Sequence, residues 1–226
     1  MMHAQAIDAF LRGTGAFRMD RLERRRILWL LGAVVVFGSI YGAVMGSFTG
    51  LAPGRFSQLF ISGIKTPLLL LLIYVHCVPA FFVLNSLAGL RADLKPALFA
   101  LTAMQAAAAL VLASLSPILA LVYISIKDYP TAVLVNGIFF AIASGASQII
   151  VFRYYSGLIT RDGRHKRMLA VWLALYVFVG IQAAWVMRPF IGNPDRPVTL
   201  LRPGAWGNAY VAILRILRHS GNMLKN

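Results

Sequence analysis

Five stretches of this chain stay apolar for about twenty residues each, the length that crosses a hydrocarbon core, and short polar segments separate them. They predict spans over roughly Ile27–Phe48, Pro67–Leu90, Ala97–Ile124, Thr131–Tyr154 and Met168–Met187. The expected fold class is therefore an all-α integral membrane bundle of five transmembrane helices. A C-terminal interfacial amphipathic helix follows from Gly204–Leu217, where Trp206, Tyr210, Ile213, Leu214 and Leu217 share one face. Fourteen residues or so lie in an interface rather than cross it.

The polar segments divide the chain into an N-terminal segment Met1–Arg26, a five-span domain Ile27–Met187 and a tail Arg188–Asn226. Ala4–Leu11 reads either as a short helix whose Ala6, Ile7, Phe10 and Leu11 face the leaflet or another span, or as part of a partly ordered tail. Thr49–Ile64 reads as a connector with a short interfacial helix, its face made by Phe56, Leu59, Phe60 and Ile64. Thr66 then suits an N-cap and Pro67 a first helical turn. Pro79 and Pro117 predict bends within the second and third spans.

Small residues set the expected packing. Gly38, Gly42 and Gly46 recur every four residues and stack on one helix face, where another backbone can approach closely. The partner is expected within the chain, with a second protomer as the alternative. The alanine-rich Gln105–Ala109 centre and the cluster Ser144–Ser147 around Gly145 favour tight packing in the same way.

Composition changes the picture little. The chain of 226 residues is 59% hydrophobic and 13% charged, about half the charge of a soluble domain. A formal charge of +15 would suggest nucleic acid in a soluble protein. Here the cations flank apolar runs, as in DRLERRR at Asp20–Arg26 and RDGRHKR at Arg161–Arg167, so the expected partners are membrane lipids with anionic headgroups and no nucleic acid. The cation-rich short loops predict a cytoplasmic N-terminus and an outer C-terminus, with the first span retained as an anchor.

Chemistry is sparse. Asp8, Asp20, Glu23, Asp93, Asp128, Asp162 and Asp195 all fall outside the predicted spans, which lowers the prior for ion-coupled transport. His76 lies in a span beside the single cysteine, Cys77; it reads as bonded to a neighbouring helix and Cys77 as a small buried hydrophobe. No motif for an enzyme, cofactor or metal site is recognisable, so no catalytic, cofactor-binding or metal residue is expected. The remaining candidates are amides. Asn85, Gln105 and Gln148 fall toward the cytoplasmic half, Asn136 and Gln182 toward the outer half, predicting two interhelical hydrogen-bond layers. At the outer boundary Lys65 and Arg188 read as snorkelling cations, with Trp185 in an aromatic belt and Trp206 beyond it. Arg188 is the candidate for a specific lipid or partner contact, in which case Phe190–Gly192 forms an outer hook.

Tyr41-Gly42-x3-Gly46-Ser47, Lys65-Thr66-Pro67-Leu68, Trp185-x2-Arg188-Pro189-Phe190-Ile191-Gly192 and Gly207-Asn208 together resemble uncharacterised bacterial multipass membrane proteins. Those are distantly similar to the Yip-type five-span fold. The resemblance implies a fold and an address, the bacterial inner membrane, but no activity; the small-GTPase trafficking role of eukaryotic Yip proteins has no matching motif in the cytoplasmic segment. The expected function is a non-enzymatic inner-membrane protein, a homo- or hetero-oligomeric scaffold or organiser of the membrane. A channel or carrier for a small solute or lipid is the alternative, its path lined by Gln105, Asn136, Gln148 and Gln182.

Overall fold

The computed structural model describes residues 2–14, 17, 24–49, 55–126, 128–193, 197–201, 207 and 211. Among these the chain is helical: α1 (Met2–Arg12), α2 (Arg24–Gly46), α3 (Phe56–Leu87), α4 (Leu94–Ser125), α5 (Tyr129–Arg161) and α6 (Arg164–Val186). The last five are each long and apolar enough to cross a membrane, which fits a multipass membrane protein. The C-terminal amphipathic segment, Trp206 included, lies outside the described residues, apart from Gly207 and Val211.

Helix α2 is the spine. It packs along α3 on one side and α4 on the other; α6 leans on α3, and α5 on α4. The glycine ladder explains the first contact. A Cβ at Gly42 would lie 2.3 Å from the Ser62 carbonyl oxygen, one at Gly46 2.7 Å from that of Gln58, and one at Gly38 3.1 Å from Pro67 Cα. Removing three side chains brings two helix backbones into direct contact. Gly145, by contrast, meets nothing within 4 Å; it takes no part in packing within the chain.

The alanine-rich run works by a related route. From Phe99 to Ala109 every residue of α4 is buried, because small side chains leave room for neighbours all round. Beyond it α4 turns outward, and Ile118, Leu121 and Ile124 are exposed.

One boundary differs from the sequence expectation. Thr49–Ile64 is no separate connector: α3 runs unbroken from Phe56 through Pro67 and Pro79 to Leu87. Thr66 is no N-cap, and its hydroxyl donates to the Ser62 carbonyl one turn back (3.1 Å). Proline withholds only one N–H from the ladder, and here its Cα fills the space that Gly38 leaves open.

Helix α1 belongs to the bundle. Phe10 is 1% exposed and packs with Phe17, Trp29 and Tyr154. The end of α1 is closed three ways. Gly13, at φ +66°, lets Thr14 N–H reach the Ala9 carbonyl and Gly13 N–H that of Phe10 (2.9 and 3.1 Å), a left-handed terminus suited to glycine. Tyr154 Oη donates to the Phe10 carbonyl (2.7 Å), and Arg153 to that of Leu11.

At the corner between α5 and α6, the side chain of Asp162 accepts from the backbone N–H (2.9 Å) and guanidinium (2.7 Å) of Arg164. The Arg164 side chain, with the backbone N–H behind it, holds the carboxyl down at about 2. A depressed carboxyl contributes stability above its ordinary range near 4, and loses it as pH falls toward about 2. Protection of the Arg164–Lys166 amides, taken relative to their intrinsic exchange rates, is expected to fall across that window, and Asp162→Asn to abolish that change. Wild-type protection that stays constant from pH 4 to 2 removes this role from Asp162.

Candidate functional site

The N-cap Arg55 and the first three turns of α3 carry polar side chains at 55, 58, 62 and 65, steps of three, four and three that line up on one helix face. Gln58, Ser62 and Lys65 are buried, at 1%, 0% and 2% exposure, whereas Phe56, Phe60 and Ile64 are at least half exposed. The apolar face assigned to an interfacial helix therefore points away from the bundle, as a lipid-facing side would, and the polar face points in.

What covers the polar face is the segment after α6. Pro189 to Asn193 runs back along α3 as a non-helical strap. Lys65 Nζ donates to the Pro189 carbonyl (2.7 Å). Ser62 and Gln58 both donate to the Phe190 carbonyl, the latter at 3.1 Å. Arg55 donates to the Asn193 carbonyl (2.7 Å). Each bond reads the strap's backbone, so the stripe supplies donors and the strap supplies acceptors. Ile191 anchors it at 4% exposure, and the Phe190 ring lies 5.9 Å from Lys65 Nζ, within cation–π range.

Lys65 is thus no snorkelling cation. Its ammonium turns into the bundle, where hydrogen bonding to a carbonyl offsets part of its desolvation cost. Phe190–Gly192 likewise is no free outer hook. Arg188 does lie at this end, but its guanidinium stacks 3.5 Å above the Trp185 ring and its Nε reaches the Trp185 carbonyl at 3.5 Å. Trp185 is therefore covered on one face by Arg188.

The five amides do not form two layers. Asn136 bridges helices: its Oδ1 accepts from Tyr41 of α2 (2.8 Å) and its Nδ2 donates to Tyr123 of α4 (2.6 Å). Gln105 of α4 accepts from Tyr176 of α6 (3.0 Å). The other three turn elsewhere. Asn85 donates to the Leu90 carbonyl in the turn after α3 (3.1 Å). Gln148 donates to Ser144 of its own helix (2.9 Å). Gln182 donates to the Gly207 carbonyl (3.2 Å). Gln105, Asn136, Gln148 and Gln182 consequently face different partners and do not converge on one path. His76 also bonds its own helix, through Nδ1 to the Leu72 carbonyl (2.8 Å), and is exposed. Cys77 is buried.

A second polar cluster closes the opposite end of the bundle, and sequence reasoning missed it. Asp93 lies in the short turn Arg91–Asp93 between α3 and α4. Its Oδ1 pairs with Arg161 at 2.8 Å and its Oδ2 meets His165 Nε2 at 3.2 Å. One carboxylate thus joins that turn to the end of α5 and the start of α6. Its partners lie 68 and 72 residues away, a separation that no local motif encodes. Among the described residues, no group of three or more His, Cys, Asp or Glu side chains is placed to hold a metal ion.

Comparison with family models, with curated proteins and with solved structures finds no match to this chain.

Proposed function

We propose that this protein is a non-enzymatic component of the membrane, a scaffold or subunit around which an assembly forms. The observation that carries the reading is the strap. A non-helical segment bonded to a buried polar stripe presents a fixed surface at one end of the bundle, and rigid elements make better binding platforms than loose loops. The other end carries the exposed cations Arg91, Lys95, Lys166 and Arg167, suited to anionic headgroups. The interhelical amides serve cohesion: Asn136 and Gln105 each tie α4 to a neighbouring helix.

The proposed address is the bacterial inner membrane, and the N-terminus is placed in the cytoplasm by the positive-inside rule, because an odd number of spans between them would put Arg24–Arg26 and Arg161–Arg167 on opposite sides, and the four candidate spans between them put both on one.

Native mass measurement of the protein, extracted with its surrounding lipid, tests the proposal. A defined homomeric or mixed mass is expected, and it should fall to the single chain in Lys65→Glu, which loosens the strap. A lone protomer in the wild type, carrying one retained solute or lipid, overturns the scaffold reading in favour of a carrier.

A further inference from the structure

His76 faces the wrong way for a polar side chain in a membrane helix. It is exposed, and it shares the outward face of α3 with Leu68 (47% exposed), Val75 (61%) and Val83 (53%). It stands eleven residues after Lys65 and eleven before Leu87, the last residue of α3. That is about 17 Å of helix on either side, a little over half of a hydrocarbon core about 30 Å thick. In a bilayer the imidazole therefore lies near the midplane, turned toward the acyl chains. Ionisable side chains at that depth almost always face a protein interior or a water-filled cavity. His76 turns away from its own bundle.

Its hydrogen bonding sharpens the demand. Nδ1 lies 2.8 Å from the Leu72 carbonyl oxygen, which can only accept. Nδ1 therefore carries the proton, and in the uncharged ring Nε2 is a bare acceptor. Acyl chains offer it no donor, and a polar group without a partner in such surroundings is costly. What this face lacks is an N–H or O–H group, brought by whatever covers it at the depth of His76.

The chain carries such a donor on another outward face. Gln148 of α5 gives one amide N–H to the Ser144 carbonyl (2.9 Å), and a primary amide has two. Gly137, Ala141 and Gly145 line α5 beside it and are exposed. Neither glycine has anything within 4 Å of an added Cβ. Small side chains there let a second helix come close.

The two groups match in depth. Gln148 is thirteen residues before Arg161, the end of α5, and His76 eleven before the end of α3, about 20 and 17 Å. The Arg161–Asp93 pair (2.8 Å) holds the end of α5 beside the turn that follows α3. Within one molecule the two faces look different ways, because α3 packs on α2 and α6, and α5 on α4. Between two copies inserted in one orientation they stand level.

We infer that this face of α3 docks on the small-residue face of α5 in a second copy of the chain, with His76 Nε2 accepting from Gln148 Nε2 across the interface. The two faces differ, so the contact is head to tail, and it repeats from copy to copy as a ring or a row. The inference rests on the scaffold reading and narrows its partner to this chain itself.

Oxidative cross-linking between two differently tagged full-length copies in membranes, each in a Cys77→Ala background, tests it. Leu68→Cys on one copy and Ala141→Cys on the other lie two turns from His76 and Gln148 and leave both residues in place. A disulfide between the two tags is expected. Adding His76→Leu or Gln148→Leu is expected to cut its yield about three- to tenfold, and the two together no further, since each removes the same bond. Leucine suits a lipid-facing position, so His76→Leu is expected to melt no lower than wild type in detergent, which separates lost docking from lost folding. A yield that His76→Leu does not move overturns the His76–Gln148 bond. Disulfides between two Leu68→Cys copies, and none in the mixed pair, overturn the docking in favour of an α3–α3 contact. No disulfide of either kind overturns it too: a multimeric native mass would then leave the scaffold reading standing, whereas a single-chain mass would remove both.

Discussion

Leucine in place of Gly42 is expected to separate α2 from α3 and unfold the bundle. Even a single Cβ there would sit 2.3 Å from the Ser62 carbonyl oxygen and 2.6 Å from Thr66 Oγ1. The first of these is backbone of a packed helix, which cannot swing aside as a long side chain does. Overpacking a core usually costs about 1–3 kcal/mol, and a clash against backbone belongs at or above the top of that range. Alanine at Gly42 meets the same atoms, so it too is expected to be strongly destabilising. Two controls isolate the cause. Neither Gly32 nor Gly145 has anything within 4 Å of an added Cβ, and alanine at either leaves the isolated bundle intact. The measurement is thermal unfolding in mild detergent, with α2–α3 proximity followed by cross-linking. A Gly42→Leu protein that melts with the wild type, its helices still paired, contradicts the close approach. Loss of assembly in Gly145→Leu with an unchanged fold would instead locate a partner on α5.

The spans were legible because an apolar run of membrane length is a one-dimensional signal. The glycine ladder was legible for a similar reason, since Gly38, Gly42 and Gly46 encode one face whatever lies opposite. The start of α3 was not. Thr66-Pro67 has the residues of a helix start, but the helix runs on through this proline as it does through Pro79, and the contact of Pro67 with Gly38, distant in sequence, leaves no local signal. The polar stripe was hidden because only the apolar face of this stretch was read, as that of an interfacial helix. At a water surface the Phe56, Phe60 and Ile64 face would turn inward; within apolar surroundings it turns outward, and Gln58, Ser62 and Lys65 take the interior. Nothing local to α3 announces the Pro189–Asn193 carbonyls that satisfy them, because Lys65 and Pro189 lie 124 residues apart. Asp93 is hidden in the same way: its composition as a loop acid is visible, its clasp on His165 and Arg161 is not.

Lys65 is where the candidate site is most exposed to a single change. Lys65→Glu places an acceptor among acceptors: a carboxylate would face the Pro189 carbonyl where an ammonium now donates to it. The bond lost is charge-assisted, worth about 2 kcal/mol, or roughly thirtyfold in the opening equilibrium of the strap, and repulsion adds to that. Lys65→Met separates the two contributions. It leaves the Pro189 carbonyl unpaired but also removes a buried charge, and relief of such a charge is often neutral or stabilising for a fold. The strap is therefore expected to loosen in both variants, more in Glu than in Met, while the five-helix bundle of Lys65→Met melts no lower than wild type. Maleimide labelling reads the strap directly: Ile191, 4% exposed, is replaced by cysteine in a Cys77→Ala background. Labelling is expected to be slow with Lys65, faster with Met and fastest with Glu. Equal rates in all three would mean that the strap is held by Ile191 and Phe190 alone, with the polar stripe a passenger. An intermediate result, with Glu fast and Met at the wild-type rate, would assign the hold to Ser62 and Gln58 and leave Lys65 only the power to disrupt it.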